Sequence, residues 1–138
     1  EFEQDSKLQF IEDFAFSDSQ IESIVIPSQV TCIRRNVFNF CRKFQRIEFA
    51  DDSKLQTIDD NAFSDSMITS FVIPPGANEI GKNAFIYCYK LKIIEINEKS
   101  EIISIYPSNL NRSTCSLLMI PVNLKDRLNL TNPQKTFI

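Results

Sequence analysis

A 13-residue phrase occurs twice in the sequence, and this repetition limits the folds that the chain can adopt. Residues 15–27 read AFSDSQIESIVIP, and residues 62–74 read AFSDSMITSFVIP. Alignment of residues 1–47 with 48–94 gives 25 identities in 47 positions. A catalytic site needs one copy of its unusual residues, whereas a stack of similar units needs the same packing residues at every level. The duplication therefore favours a repetitive architecture.

Each 47-residue unit divides into two shorter coils. Every coil begins with two apolar residues three positions apart, and the spacing between successive pairs alternates between 22 and 25. Repeats of about 20 to 29 residues indicate a solenoid. We therefore predict about five coils, which begin at the pairs Leu8 with Ile11, Val30 with Ile33, Leu55 with Ile58, Ala77 with Ile80, and Ile102 with Ile105.

A second apolar signal, a triplet, follows in each coil. Its last two members alternate as a β-strand requires. Pro27, Pro74 and Pro121 directly follow three of the triplets, where a missing N–H group ends a strand ladder without breaking its middle. The triplets are Ile21, Ile24, Ile26; Phe44, Ile47, Phe49; Ile68, Phe71, Ile73; Leu91, Ile94, Ile96; and Cys115, Leu118, Ile120. Each coil is thus predicted to contain two short extended segments.

Between the two signals, the chain is predicted to turn around a buried phenylalanine. We expect Asn36 and Asn83 to cap short helical turns that bury Phe38 and Phe85. Residues 17–19 and 64–66, both Ser-Asp-Ser, lack the ligand pattern of a calcium loop and are predicted to close turns through side-chain hydrogen bonds. Residues 51–53 and 59–61 are read as solvated turns, with a weak cation site as the alternative.

The available residue types argue against catalysis. The 138 residues include no His, which removes the commonest general base, the usual partner of a Ser or Cys nucleophile and the commonest metal ligand. A net charge of −3 is unfavourable for binding nucleic acid. No apolar run approaches the roughly 18 residues that a membrane-spanning helix needs. We predict no enzymatic activity, no cofactor, no metal ion, no nucleic-acid partner and no membrane insertion in this segment.

Four cysteines, at positions 32, 41, 88 and 115, invite a disulfide or metal interpretation. Cys41 and Cys88 occupy the same position two coils apart, so their α-carbons should lie about 9 to 10 Å apart, too far for a disulfide. We predict that both are small buried apolar residues. Without His or a Cys-x-x-Cys pair, a zinc site is disfavoured. Cys32, flanked by Arg34 and Arg35, is a faint candidate for a reactive thiol.

The complete pattern L-x-x-I-x-x-x-A-F-x-x-x-x-I-x-x-I-x-I-P resembles the BspA-type leucine-rich repeats over about residues 1–124. The resemblance implies an α/β solenoid, a right-handed superhelix of short parallel strands and turns or short helices with a sheet on its concave side. Family members usually carry Gly after the second apolar pair; Gly81 keeps it, whereas Arg34 replaces it. The match is carried in the first copy by Leu8, Ile11, Ala15, Phe16, Ile21, Ile24, Ile26 and Pro27, and in the second by Leu55, Ile58, Ala62, Phe63, Ile68, Phe71, Ile73 and Pro74.

The resemblance also implies a non-catalytic protein-binding module at the cell surface, engaged in adhesion or recognition of host proteins. An intracellular, cytoplasmic scaffold that recruits or regulates an enzyme is the alternative, and unpaired cysteines favour a reducing compartment. Residues 111–113 and 129–131 are N-glycosylation sequons, which carry sugar only in a eukaryotic secretory pathway. Asn111 and Asn129 are the acceptor residues of these sequons.

The outward positions of the strand triplets are the candidate binding residues. We expect them to form one continuous concave face whose mixture of apolar and charged side chains suits a protein partner. A merely solvated sheet would look similar with fewer apolar members. The predicted binding residues are Glu22, Val25, Arg46, Glu48, Thr69, Val72, Lys92, Ile93, Glu95, Leu117 and Met119.

The two ends of the array are expected to differ. Residues 1–121 are predicted to form the solenoid and residues 122–138 a C-terminal cap or tail, in which the amphipathic stretch 122–128 folds as a helix over the last coil. Glu1 and Phe2 already match Glu48 and Phe49 at the end of a strand. We expect that the chain is part of a longer array or that its uncapped first edge associates with a second copy.

Overall fold

The fold is that of a computed structural model, which describes residues 2–3, 5–102, 104–106, 109, 117–119, 129–130 and 136–137. Short β-strands and turns make up these residues. The strands are β1 (Phe10–Ile11), β2 (Ser23–Ile26), β3 (Cys32–Ile33), β4 (Arg46–Phe49), β5 (Thr57–Ile58), β6 (Ser70–Ile73), β7 (Glu79–Ile80), β8 (Ile93–Ile96), β9 (Ser104–Ile105), β10 (Leu117–Met119), β11 (Asn129–Leu130) and β12 (Thr136–Phe137).

The strands form two columns along the stack, and their pairing is parallel throughout. One column holds the two-residue strands, with β1, β3, β5 and β7 paired in that order and β9 paired with β11. The other column holds the longer strands, in two sheets. β2 pairs with β4 in the first sheet, and β6, β8, β10 and β12 pair in that order in the second. The predicted parallel-strand solenoid is therefore confirmed, with about four complete coils in the described residues where about five were expected.

In the four coils whose turns the structure describes fully, tight turns, not short helices, connect the two columns. Each turn has two residues in the left-handed backbone region, four positions apart, with φ between 56° and 61°: Phe14 and Asp18, Asn36 and Phe40, Asn61 and Asp65, and Asn83 and Tyr87. Alternate N–H groups donate to the next coil, as from Phe38 to the carbonyl of Ala62 at 2.8 Å. The intervening N–H groups donate three residues back. Turns are found at residues 17–19 and 64–66, but backbone bonds close them, as from the Ser19 N–H to the Phe16 carbonyl at 3.1 Å, where side-chain bonds were predicted. The helix caps expected at Asn36 and Asn83 are wrong.

Equivalent side chains stack into ladders that fill the space between the columns. The rings of Phe16, Phe38, Phe63 and Phe85 follow one another at centroid distances of 5.4 Å, with planes within 8° of parallel. The last three are fully buried, as are the predicted strand residues Ile26 and Ile73. Burying a phenylalanine side chain contributes about 1.5 to 3 kcal/mol, so repetition of one residue type at each level supplies much of the stability.

The turn of the fourth coil ends on a buried side chain. In the coil below, the Phe63 N–H donates to the Ala84 carbonyl at 2.9 Å. The equivalent N–H of Phe85 donates instead to Oδ1 of Asn109 at 3.2 Å, and Nδ2 of Asn109 donates to the Gly81 carbonyl at 3.0 Å. The Asn109 carboxamide therefore occupies the place of a further backbone rung, where the third copy loses its Ala-Phe pair.

The C-terminal segment contributes to both columns. Asn129 pairs with Ser104, and Thr136 pairs with Leu118, so β11 and β12 add a strand to each column. The helix predicted over residues 122–128 and the sequon residue Asn111 lie outside the described residues. Asn129, of the second sequon, begins β11.

Candidate protein-binding face

The candidate binding residues lie in the longer strands or directly before them, and Val25, Glu48, Val72 and Glu95 are exposed on the outward side. We call this surface the strand face, and Leu117 and Met119 are assigned to it by backbone register alone. Within a strand, successive side chains point to opposite sides, so every second residue faces away from the core. Val25 is 58% exposed and Val72 48% exposed, whereas Ile26 and Ile73, one position later, are fully buried. The alternation read from the sequence is therefore the alternation that the fold adopts.

Strand pairing fixes which of these residues are neighbours. Residues paired between parallel strands are about 4.8 Å apart in the hydrogen-bonding direction. Two rows of paired residues result in each sheet. In the first sheet, one row is Ser23 and Arg46, and the other is Val25 and Glu48. In the second sheet, one row is Ser70, Ile93 and Leu117, and the other is Val72, Glu95 and Met119. The rows place an apolar side chain next to a charged one at Val25 with Glu48 and at Val72 with Glu95.

The charged members of the strand face are exposed to solvent. Arg46 Nε lies 3.3 Å from Oε1 of Glu48 in an ion pair within β4, and their side chains are 71% and 55% exposed. Such a pair contributes at most about 1 kcal/mol. Glu22, Thr69 and Lys92 are also exposed and directly precede or adjoin the strands. These groups remain available to a partner with little loss of stability.

One part of the prediction is wrong: the strand face is not a continuous sheet. β4 pairs with β2 and β6 pairs with β8, but β4 and β6 do not pair with each other. Val25, Arg46 and Glu48 thus belong to one sheet, with Glu22 directly before its first strand. Val72, Ile93, Glu95, Leu117 and Met119 belong to the next sheet, with Thr69 and Lys92 directly before two of its strands. Equal periodicity in the sequence indicates equivalent positions, but it does not guarantee equal spacing between strands.

The cysteines that the structure describes have structural environments. The pKa of the Cys32 thiol is raised to about 11, chiefly by burial. The Asp59 carboxylate also raises this pKa, and its effect is larger than the opposing effect of the Arg34 guanidinium. Cys32 is therefore protonated at neutral pH, which contradicts its candidacy as a reactive thiol. Cys41 and Cys88 are buried, as predicted.

Cys41 and Cys88 also make contacts that the sequence did not reveal. The Cys41 thiol donates to the Phe16 carbonyl at 2.9 Å, and the Cys88 thiol to the Phe63 carbonyl at 3.0 Å. Burial raises the pKa of Cys88 to about 11. Each thiol therefore joins one coil to the coil below it.

The turns carry exposed aromatic residues that the sequence analysis did not single out. Phe14 is 58% and Phe40 44% exposed, and both are in the left-handed backbone region, which bulky residues rarely adopt. The repeat did contain a signal of this exposure, because the positions equivalent to Phe40 in the neighbouring coils hold the polar residues Asp18 and Asp65. Burial periodicity alone does not detect such positions.

Two further properties bear on chemistry. Within the part of the chain that the structure describes, no three His, Cys, Asp or Glu side chains converge on a position that could hold a metal ion. In the same residues, no helix has the length and apolar character needed to cross a membrane.

Comparison with known families agrees with this geometry. Six copies of a repeat described as the BspA type Leucine rich repeat region match residues 6–126. The chain belongs to the BspA-type leucine-rich-repeat family. Leucine-rich-repeat solenoids, such as this BspA-type chain, typically bind proteins and lack catalytic activity. A comparison with curated proteins gives no significant match.

Solved structures share the fold of this BspA-type chain. The pneumococcal vaccine antigen PcpA is 28% identical with a TM-score of 0.65, over 71% of this chain and 26% of PcpA. A leucine-rich cell surface protein from Faecalibacterium prausnitzii is 24% identical with a TM-score of 0.56, over 68% of this chain and 30% of that protein. A T. pallidum leucine-rich repeat protein is 19% identical with a TM-score of 0.54, over 81% and 63%. This chain thus spans about a quarter of PcpA.

Proposed function

We propose that this chain is a non-catalytic recognition module that binds a protein partner through its strand face and acts in adhesion at the cell surface. The observation that carries the proposal is the exposure of Val25 and Val72 beside Glu48 and Glu95 on short paired strands. Exposed apolar side chains interspersed with charges provide buried contact area together with orientation. The ladders beneath hold these strands in place before binding, which reduces the entropy lost on association.

Family membership supports the location. BspA-type repeats match residues 6–126, and the relative PcpA is described as a vaccine antigen. An antigen useful in a vaccine has to be reachable by antibodies, so this description favours an extracellular or surface position for the present chain. Host proteins are the class of partner that such a position exposes.

A second candidate, an intracellular scaffold that recruits an enzyme through the same face, is favoured by one observation. Cys32, Cys41 and Cys88 are free thiols, and Cys32 is only partly buried. Free thiols persist most readily in a reducing compartment. Labelling of intact cells with a membrane-impermeant amine reagent separates the candidates, because only the surface protein would be labelled before lysis.

The binding assignment is tested by Val72→Glu combined with Ile93→Glu. Two added carboxylates on the strand face should abolish binding to intact host cells and to immobilised matrix proteins, while the thermal midpoint stays close to that of the wild type. Gln9→Glu combined with Gln56→Glu is the matched control, since both glutamines are exposed and directly precede β1 and β5 of the other column. Unchanged binding by the first variant, with the fold intact, would show that the strand face is not the binding surface.

We also propose that the first coil associates with a second copy of the chain. Leu8, Phe10 and Phe14 are 36%, 40% and 58% exposed, whereas Leu55, at the position equivalent to Leu8, is fully buried. Phe10→Thr with Phe14→Asn gives the first coil the residues that the third coil carries at Thr57 and Asn61. Sedimentation velocity over a concentration series should show association of the wild type and a monomeric variant. A wild type that is monomeric at every concentration contradicts the proposal.

A further inference from the structure

The interruption of the strand face between β4 and β6 is local. Ile33 still pairs with Ile58 on the opposite column, and the Phe38 N–H still donates to Ala62 at 2.8 Å in the turns. Within β4 and β6, which the structure describes completely, no backbone hydrogen bond joins one strand to the other. Two strand edges are therefore open in the middle of an otherwise bonded stack.

Two phenylalanines account for the interruption. Phe49 and Phe71 meet across it, with ring centroids 5.7 Å apart and planes at 75°. The Phe71 ring is also tilted by 59° from that of Phe63 and by 62° from that of Phe85, unlike the parallel rings of the turn ladder. Two large rings at adjacent rungs exceed the room that paired strands leave between them.

The chain contains an internal control for this explanation. β8 and β10 are related as β4 and β6 are, because the steps from Ile94 to Leu118 and from Ile47 to Phe71 both span 24 residues. β8 and β10 are nevertheless paired. The equivalents of Phe49 and Phe71 there are Ile96 and Leu118, so coil length does not separate β4 from β6, and we attribute the separation to the two rings.

The open edge of β4 is accessible. Ile47 and Phe49 are only partly buried, whereas their equivalents Ile94 and Ile96 in β8 are each 1% exposed. On the other side of the interruption, Phe71 and Ile73 remain buried and Val72 is 48% exposed. Solvent therefore reaches the β4 side, with Val72 beside it.

We propose that this interruption receives an extended peptide segment of the protein partner, which pairs its main chain with the open edge of β4. An unpaired strand edge presents a row of N–H and C=O groups, and an extended peptide is the ligand whose own row of groups matches it. This inference rests on the proposed function, because it names the part of the partner that the strand face binds.

The side chains around the edge define the peptide further. Alternate residues of an added strand would point toward the core and cover Ile47 and Phe49, so these positions should be apolar. The intervening residues would lie outward between the Arg46–Glu48 ion pair and Val72. The segment expected is therefore a strand with apolar residues at alternate positions and polar or charged residues between them.

The test begins with eight-residue peptides selected from a random library on the immobilised wild-type protein. In amide NMR spectra, the selected peptides should shift the signals of residues 46–49 most strongly. Methylation of alternate backbone nitrogens removes hydrogen-bond donors, so the peptide methylated on its pairing edge should bind at least tenfold more weakly than the peptide methylated on the opposite edge.

A second arm closes the interruption. Phe49→Ile with Phe71→Leu reproduces the residues at β8 and β10, and amide hydrogen exchange in residues 46–49 and 70–73 should slow as the strands pair. This variant should lose the peptide and keep its thermal transition. Because the methylation arm uses the wild type, it decides the question even where the variant does not close.

Different failures separate the two proposals. Peptides that shift strand-face signals but bind equally well after either methylation would overturn the pairing inference and leave the strand face as a binding surface. Peptides that shift no signal of the strand face would overturn both. Signals of residues 46–49 that shift with protein concentration in the absence of peptide would show that a second copy occupies the edge, which also overturns the inference.

Discussion

At the scale of the residue, Gly81 is the one of the two glycines that leaves less room for a side chain. A Cβ atom there would lie 2.5 Å from the backbone nitrogen of Asp60 and 2.6 Å from the carbonyl carbon of Asp59. Gly81→Ala should therefore lower the free energy of unfolding by about 1 to 3 kcal/mol, since backbone atoms of the adjacent coil must move. Urea denaturation measures the change.

Arg34 supplies the control for Gly81, because it is the equivalent residue of the first copy and already carries a Cβ. Its exposed side chain forms an ion pair with Glu12 at 3.2 Å and lies 5.1 Å from the ring centroid of Phe10. Arg34→Ala should cost about 1 kcal/mol or less. An equal loss from both substitutions would mean that close approach of the coils is not what requires Gly81.

Phe40 is a bulky residue in a left-handed backbone conformation, which favours Asn. Its φ of 57° is a conformation that Asn adopts several times more readily than most residues, and Asn36, Asn61 and Asn83 hold it at the first left-handed position of their turns. Phe40→Asn should be more stable than Phe40→Ala by about 0.5 to 1 kcal/mol, because both lose the ring and only Asn favours the backbone. Thermal unfolding of the pair tests this, and a more stable Ala variant would contradict it.

At the scale of the element, the Asn109 side chain bonds to the turn of the fourth coil. Asn109→Ala leaves the Phe85 N–H without its partner and removes one of the two donors to the Gly81 carbonyl, which keeps only the Ala84 N–H at 3.4 Å, so we expect a loss of about 1 to 3 kcal/mol. Asn109→Asp keeps an acceptor for Phe85 but loses the donor to Gly81, and it should also be destabilising. Hydrogen exchange at Phe85 is the specific measurement, because protection there should fall in Asn109→Ala, and unchanged protection would show that the bond is dispensable.

The elements also show where sequence reasoning succeeds and where it stops. Apolar residues spaced two and three positions apart predicted the strands and their buried residues, because the alternation of a strand is visible directly in the order of apolar and polar residues. The turns were misjudged, since Asn suits both a helix cap and a left-handed residue and the sequence does not distinguish them. The break between β4 and β6 depends on two rings that meet across coils, and Phe49 and Phe71 each look like ordinary core residues when read alone.

At the scale of the whole molecule, each coil contacts chiefly the coils above and below it. The geometry of the candidate site likewise depends on contacts between neighbouring coils. Alternation along each strand predicted that Val25 and Val72 would be exposed, but the register and the interruption between sheets arise from neighbouring coils and required the structure. In a one-dimensional stack of this kind, the same substitution should change the free energy of unfolding by different amounts in different coils.

Phe16 and Phe63 test this dependence, because they are the same rung of the ladder two coils apart. Phe63 is fully buried and stacks between Phe38 and Phe85 at 5.4 Å on each side. Phe63→Ala should cost about 3 to 5 kcal/mol, the usual range for a buried phenylalanine. Phe16 is only partly buried, with one parallel neighbour in Phe38, so Phe16→Ala should cost roughly half as much. Chemical denaturation of both variants gives the comparison, and equal costs would mean that the first coil is packed as fully as the third.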